Sequence, residues 1–334
     1  MPTNTQPQHR DKPIVYALDP LQPSAQALAE KHFRLRIRAN ADDNEWQAHA
    51  EGILVRGSYV TARDLEGATR LRFIAKHGVG VDKIDAHTAK RLGIRVMNTP
   101  GVNAIAVAEL ALALTMSVAR KISTIDRKIR SGEEGITKSI GLDGLTLHGR
   151  TIGILGGGNI GLAVGQMFHR CFGSSVLLYD PYITPTAKAL WISSIPSEKI
   201  SFVDDLEREL YPRADIISLH IPLLPSTRGL IGARQLRMMK PTAILINTAR
   251  GGIVDETDLL HALRDGTIYG AGLDAFEIEP PTLEVYSGFA ECDNVVMTPH
   301  IGAGNADTQV ACNLAMVQHL VDALVHDTPR DCVC

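Results

Sequence analysis

Three side chains in the last third of the chain carry groups suited to carboxylate and proton chemistry. Arg250 stands in INTARGGIVDE, Glu279 in AGLDAFEIEPP and His300 in VVMTPHIGAG. Each lies just beyond an apolar run of strand length. An arginine binds a carboxylate bidentately and polarises an adjacent carbonyl. A histidine exchanges a proton near neutral pH, and a glutamate beside it fixes the tautomer and favours the imidazolium. Such a trio serves hydride transfer to a carbonyl, which needs a held substrate, a polarised carbonyl and a proton source. Taken singly, each has a plainer reading: Arg250 as a helix cap, His300 as a strand-end turn residue after Thr298-Pro299.

A fourth stretch, TIGILGGGNIG from Thr151 to Gly161, holds Gly156-x-Gly158-x-x-Gly161. Glycines can make a linker, a tight turn or a phosphate cradle. Here they follow a strand-like run and open a helical one, which favours the cradle. Gly156 allows the turn, and Gly158 lets backbone approach a pyrophosphate. Gly161 lets helix pack on strand, and the helix N-terminus with Asn159 and Ile160 faces the anion. The next run, SVLLYD, ends in Asp180, at the spacing of a ribose-binding acid. Asp180 would accept from both ribose hydroxyls and repel a 2′-phosphate, which argues for NAD over NADP. Its neighbours are Pro181 and Tyr182, with no arginine directly after it.

The elements that would carry these residues form two βα series. In the first, PIVYAL, GILVRG (52–57), RFIAKHG (72–78) and RVMNTP (95–100) read as buried parallel strands. A long helical signal, 103–132, follows, and then an irregular arm to about 150. The second series has strands TIGILG, SVLLYD (175–180), DIISLH (215–220), AILINT (243–248), YGAGLDAF and VVMTPH (295–300). A last helix is expected over about 305–325. Successive strand ends of a parallel sheet open on one crevice, so Arg250, Glu279 and His300 can converge beside the glycine loop.

At 334 residues, with 45% hydrophobic and 21% charged residues, about two domains are expected. A net charge of -3 gives no electrostatic reason for a nucleic-acid or anionic-membrane partner. The N-terminal MPTNTQPQHRDKP has no apolar stretch of the signal-peptide kind, and the apolar run 107–119 is too short to span a bilayer. Five cysteines without a disulfide framework read as reduced thiols, so a cytoplasmic address is expected. Cys332-Val333-Cys334 reads as an exposed tail or, more sharply, as a weak metal or redox handle. No metal site is otherwise expected.

GILGGGNIG, LHIPLLPSTRGLI, LINTARGGIVDETDLLHAL, GAGLDAFEIEP and TPHIGA together resemble the D-isomer-specific 2-hydroxyacid dehydrogenase family. AKHGVGVDKID and RVMNTPGVNAIAVAEL resemble its D-3-phosphoglycerate dehydrogenase branch. The resemblance covers roughly 52–303. It implies an α/β fold of two doubly wound parallel-sheet domains, a Rossmann NAD-binding domain (109–302) inserted into a flavodoxin-like substrate domain (1–108 and 303–334). It implies that Arg250 holds the substrate carboxylate and carbonyl, that His300 is the acid/base and that Glu279 is its partner. It further implies that the loop Lys76-His77-Gly78-Val79-Gly80 offers amides to the carboxylate and that Asp274 supports the catalytic loop near the nicotinamide. Thr248 and Ala249 would line the nicotinamide side and His220 and Pro222 the adenosine-side wall; Thr227 would also bind the cofactor.

By the same resemblance the irregular arm wraps a second subunit, so a homodimer is implied. The regulatory domains that follow this point in longer phosphoglycerate dehydrogenases have no counterpart before Cys334, and serine control of that kind is not expected. Arg56 and Lys76 are candidates to meet a substrate phosphate, although Lys76 reads equally as a solvated surface charge. Glyoxylate, hydroxypyruvate or a branched 2-keto acid are the alternatives. A reading of another class is a C-terminal-binding-protein-like corepressor, which keeps the same residues and uses NAD(H) to control assembly.

Overall fold

The computed structural model describes residues 12–40 and 43–334. The polar segment 1–11 lies outside the described residues. Two compact units divide the chain, Met1–Val102 with Ala306–Cys334 and Asn103–Asn305.

The first unit is built on five parallel strands: β1 (Ile14–Ala17), β2 (Arg34–Ile37), β3 (Gly52–Val55), β4 (Phe73–Lys76) and β5 (Arg95–Met97). Their order is β2-β1-β3-β4-β5, the flavodoxin-like doubly wound arrangement. Strand side chains alternate between two cores. Tyr16, Ile53, Val55, Ile74 and Val96 face one. Val15, Leu54, Phe73 and Met97 face the other, where Met316, Val317 and Leu320 of the helix Ala306–Leu324 pack on them. Both faces are covered, as an all-parallel sheet requires.

The second unit has seven parallel strands: β6 (Thr151–Leu155), β7 (Ser175–Tyr179), β8 (Ile200–Phe202), β9 (Ile216–Leu219), β10 (Ile244–Asn247), β11 (Gly270–Leu273) and β12 (Val295–Met297). The order β12-β11-β10-β9-β6-β7-β8 is the dinucleotide-fold order with one strand added at an end. Again one face carries Ile152, Ile154, Val176, Ile216 and Ile246, and the other Leu155, Leu177, Ile217, Leu245 and Leu273.

Four local readings change. Strands β2 and β8 escape the sequence pattern because both are short strands at sheet edges. In RLRI the residues are mostly exposed, and in ISF only Ile200 is buried. The helical signal 103–132 is two helices, Ala104–Ala119 and Ile122–Arg130. Lys121 breaks them with a left-handed φ of 55°. The freed Ala119 carbonyl accepts the Leu145 amide at 2.8 Å and the Tyr269 hydroxyl at 3.3 Å. The terminal cysteine segment is exposed at Cys332 and Val333, as expected of a tail, but it is held in place. It lies antiparallel on β5, with Met97 opposite Cys332 and the Val333 amide donating to Val96 at 2.8 Å. Lys76 is a buried residue, 7% exposed, rather than a solvated charge. Among the described residues no helix is long and apolar enough to cross a membrane.

Candidate active site

The glycine loop is the turn from β6 into the helix Asn159–Phe172, with Gly158 as N-cap. Gly156 has φ +102°, and a Cβ there would stand 2.5 Å from the His220 carbonyl oxygen at the end of β9. A Cβ on Gly161 would run into the Gly156 carbonyl, so the first helical turn sits directly on the strand end. At Gly158 a Cβ would meet nothing within 4 Å. The turn is therefore tight where it must pack and open where the helix N-terminus begins, whose first amides have no partner within the helix. That shape suits a pyrophosphate.

Asp180 closes the loop from the side. Its Oδ2 accepts from the Gly157 amide at 2.8 Å and its Oδ1 from the Tyr182 amide at 2.9 Å. A carboxylate has about four acceptor positions, so two remain for a diol. Trp191, fully buried, donates from Nε1 to the Gly157 carbonyl at 2.8 Å. It is a loop-holding residue that the sequence reading passed over. His220 is bonded through Nε2 to the Ser218 hydroxyl at 2.8 Å. Burial lowers its imidazole to about 3, so the ring is neutral. The Thr227 hydroxyl is spent on its own loop, donating to the Pro222 carbonyl at 2.7 Å and accepting from the Leu224 amide at 2.8 Å. Pro181 and Pro222 are exposed, whereas Thr248 and Ala249 are buried, the Thr248 Oγ1 without a partner among the described residues.

Strands β10, β11 and β12 run side by side in register, Asn247 opposite Leu273 and Leu273 opposite Met297. Their C-terminal ends are therefore level, and the three loops that leave them carry Arg250, Glu279 and His300. Asn247, 2% exposed, stitches the first loop: its amide donates to the Arg250 carbonyl at 2.9 Å and its Oδ1 accepts the Ala249 amide at 3.1 Å. The Arg250 guanidinium donates to the Ala249 carbonyl at 2.7 Å. Gly251 has no Cβ because one would collide with the backbone of Phe276 and Glu277, so the first two loops touch main chain to main chain.

Glu279 and His300 are in direct contact, with His300 Nδ1 at 2.9 and 3.0 Å from the two carboxylate oxygens. Nδ1 is then the protonated nitrogen, which leaves Nε2 for a reacting group. Burial pushes the Glu279 carboxyl up. The His300 hydrogen bond and charge, the Phe276 amide and the Arg250 charge outweigh it and hold the group below the ordinary carboxylate range. His300 has φ 57°, a left-handed backbone costly for a non-glycine residue. Asp274, 1% exposed, holds it there. Its Oδ1 accepts from the Thr298 hydroxyl at 2.7 Å and the Ile301 amide at 2.8 Å, and its Oδ2 from the Gly302 amide at 2.9 Å. Burial raises the Asp274 carboxyl, and these three bonds reduce the rise without cancelling it.

In the first unit, Arg56 follows β3 and donates to the Gln309 Oε1 at 3.3 Å. Lys76 ends β4, and its Nζ donates to the His77 carbonyl at 2.6 Å. His77 is 6% exposed. Burial, then the charges of Lys76 and Arg56, lower its imidazole to about 4. Gly78 takes φ +85°, and its amide donates to the Thr99 hydroxyl at 2.8 Å. Val79 is exposed and Gly80 half-buried.

A glycine turn that opens a helix, an acid at the next strand end and an Arg–Glu–His set on level strand ends are the arrangement expected of an NAD-dependent dehydrogenase. Residues 112–302 match the family model for the NAD binding domain of D-isomer specific 2-hydroxyacid dehydrogenases. The chain is 41% identical over 265 residues to a hydroxypyruvate reductase of Thermotoga maritima, covering 79% of this chain and 81% of that protein. It is 36% identical over 314 residues to a D-3-phosphoglycerate dehydrogenase of Methanocaldococcus jannaschii, covering 93% of this chain and spanning 57% of that protein's length. The TT0316 protein of Thermus thermophilus superposes with a TM-score of 0.82 at 33% identity, over 96% of this chain and 99% of that one. A glyoxylate reductase of Paecilomyes thermophila superposes with a TM-score of 0.83 at 25% identity, over 97% and 99%. The chain belongs to the D-isomer-specific 2-hydroxyacid dehydrogenase family. It is an oxidoreductase that uses NAD(H).

Proposed function

We propose that the protein interconverts hydroxypyruvate and D-glycerate, with Arg250, Glu279 and His300 as its catalytic residues. The observation that carries the reaction is the Glu279–His300 pair, which leaves Nε2 as the ring nitrogen free of the carboxylate. When bound, NAD(H) supplies or accepts the hydride at the substrate C2. Arg250 holds the substrate carboxylate and draws charge toward the C2 oxygen. In reduction His300 Nε2 gives its proton to that oxygen, and in oxidation it takes the proton back. Glu279 keeps Nδ1 protonated in both directions and stabilises the imidazolium. Asn247 holds the first loop through the Arg250 carbonyl and the Ala249 amide, and Asp274 holds the last through Thr298, Ile301 and Gly302. Thr248 and Ala249 would line the nicotinamide side.

Two observations support an unphosphorylated substrate. The hydroxypyruvate reductase relative is matched over most of its length, and Lys76 is buried on a backbone carbonyl. A phosphorylated substrate, 3-phosphohydroxypyruvate, is the second reading. It draws on the cationic pair Arg56 and Lys76, whose charges both reach His77. We further propose a homodimer, supported by the exposed apolar side chains Ile122, Ile129 and Leu142 (53%, 60% and 81%). Sedimentation would read a single-chain mass if that is wrong. The five free thiols suit a reducing cytoplasm.

The test is a turnover panel of hydroxypyruvate, glyoxylate, 3-phosphohydroxypyruvate and branched 2-keto acids, each with NADH and with NADPH. Hydroxypyruvate with NADH is expected to give the highest kcat/KM. A preference for the phosphorylated acid that Arg56→Gln abolishes would establish the second reading instead.

A further inference from the structure

The loop that carries Glu279 is anchored at its start by Asp274, whose carboxylate takes the Thr298 hydroxyl and the Ile301 and Gly302 amides. Further along, Glu277 Oε1 accepts from the Arg228 guanidinium at 3.2 Å, and Glu279 Oε1 accepts the Phe276 amide at 3.2 Å. The loop main chain just before Glu279 is held from another element. Glu256 is the first residue of the helix Glu256–Arg264, whose N-cap duty is already filled by Asp255 through the Asp258 amide at 2.9 Å. The Glu256 carboxylate turns away from that task. Its Oε1 accepts the Glu277 amide at 2.8 Å. Its Oε2 accepts the Tyr286 hydroxyl at 3.0 Å, and the Tyr286 oxygen in turn accepts the Ile278 amide at 3.0 Å. The two amides immediately before Glu279 therefore end on one carboxylate, one directly and one through a phenol.

The phenol is itself fixed. Tyr286 is 5% exposed, with its ring 4.9 Å from Phe276 and 6.2 Å from Phe289. Glu256 also belongs to the segment that begins at Arg250, and Gly251 of that segment lies against the Phe276–Glu277 backbone. The same residue thus ties the arginine loop to the glutamate loop. We propose that Glu256, acting through Tyr286, is the positioning residue that sets the Glu279 carboxylate against His300. A carboxylate suits the place, since it receives two donors at once. A glutamine has one acceptor oxygen and serves only one of them.

This inference rests on the acid–base reading of His300 and Glu279. Glu256→Ala, Glu256→Gln and Tyr286→Phe are measured for hydroxypyruvate reduction with NADH across pH. A displacement of the order of 1 Å costs up to about 100-fold in rate. The expected loss in kcat is therefore roughly 100-fold for Glu256→Ala and about 10-fold for Tyr286→Phe, with Glu256→Gln between wild type and alanine. KM for NADH stays unchanged. The alkaline limb of the reduction profile moves from its wild-type position, because a displaced Glu279 no longer meets His300 Nδ1 at hydrogen-bond distance. A fall in melting temperature with the alkaline limb unmoved would make Glu256 merely structural and overturn the proposal.

His300→Gln and Glu279→Gln run in the same assay separate the two levels. If both keep kcat within about threefold, against the 10²–10⁴-fold expected of an acid/base, the acid–base reading fails. If both are impaired while the Glu256 variants keep the wild-type limb, only the positioning inference fails. A readout that needs no substrate is the His300 Nδ1 proton resonance of the protein with NADH, assigned by its loss in His300→Gln. It broadens in Glu256→Ala if the proposal holds and stays sharp if it does not.

Discussion

At the scale of single residues, the molecule assigns one charged group to one task and then restrains it. Glu279 faces His300, Asp274 holds the His300 backbone and Asp180 holds the glycine turn. Asp180 allows a direct test of coenzyme choice. Replacing it with asparagine removes the negative charge that opposes a 2′-phosphate while keeping an acceptor for the Gly157 amide. A hydrogen bond to a charged group contributes about 1.5–3 kcal/mol, and about 1.4 kcal/mol is tenfold. Asp180→Asn should therefore narrow the NADH-over-NADPH preference by about tenfold, read as the ratio of the two kcat/KM values. Equal weakening of both coenzymes would show that the carboxylate acts only on the loop. Asp180 was legible because its distance from the glycines is a fixed consequence of a strand–helix–strand unit. Asn247, Trp191, Glu256 and Tyr286 were not, since each acts on a loop through contacts that no local pattern announces.

At the scale of elements, the βα order was readable because buried parallel strands are continuous apolar runs bounded by turn residues. RLRI and ISF failed that test since edge strands have one side to satisfy and need little apolar surface. The break at Lys121 was hidden because neither glycine nor proline marks it; the arm residue Leu145 and Tyr269 satisfy the helix end instead. The packing of helix Asn159–Phe172 on β6 gives the prediction at this scale. Gly161→Ala drives a Cβ into the Gly156 carbonyl, and overpacking of this kind costs about 1–3 kcal/mol. The helix must lift, carrying its N-terminus away from the pyrophosphate. Fluorescence titration should show NADH binding weakened by roughly tenfold or more; unchanged affinity would mean the helix N-terminus does not hold the coenzyme.

For the whole molecule, acid stability carries the mark of His77. Its imidazole titrates at about 4 in the fold against 6.5 as the reference value, with burial as the leading cause and the charges of Lys76 and Arg56 behind it. Between those values the unfolded chain binds a proton that the folded chain refuses. Stability therefore falls as pH drops from 6.5 toward 4, by at most ~3 kcal/mol at about 1.36 kcal/mol per unit. His77→Gln should flatten the melting temperature against pH in that window. A slope as steep as wild type would show that other groups govern it.

The first unit is assembled from two stretches of chain, and its core closes only when Met316, Val317 and Leu320 reach Val15, Leu54 and Phe73. The second unit, Asn103–Asn305, is one uninterrupted stretch. That difference sets an order of events in refolding, because joining distant stretches must overcome a larger chain-closure entropy before any contact rewards it. The chain carries its own clocks. Of its two tryptophans, Trp46 is buried in the first unit and Trp191 in the second. In stopped-flow refolding of Trp46→Phe and Trp191→Phe, the Trp191 signal should recover before the Trp46 signal. Simultaneous recovery would mean that the two units form in one cooperative step.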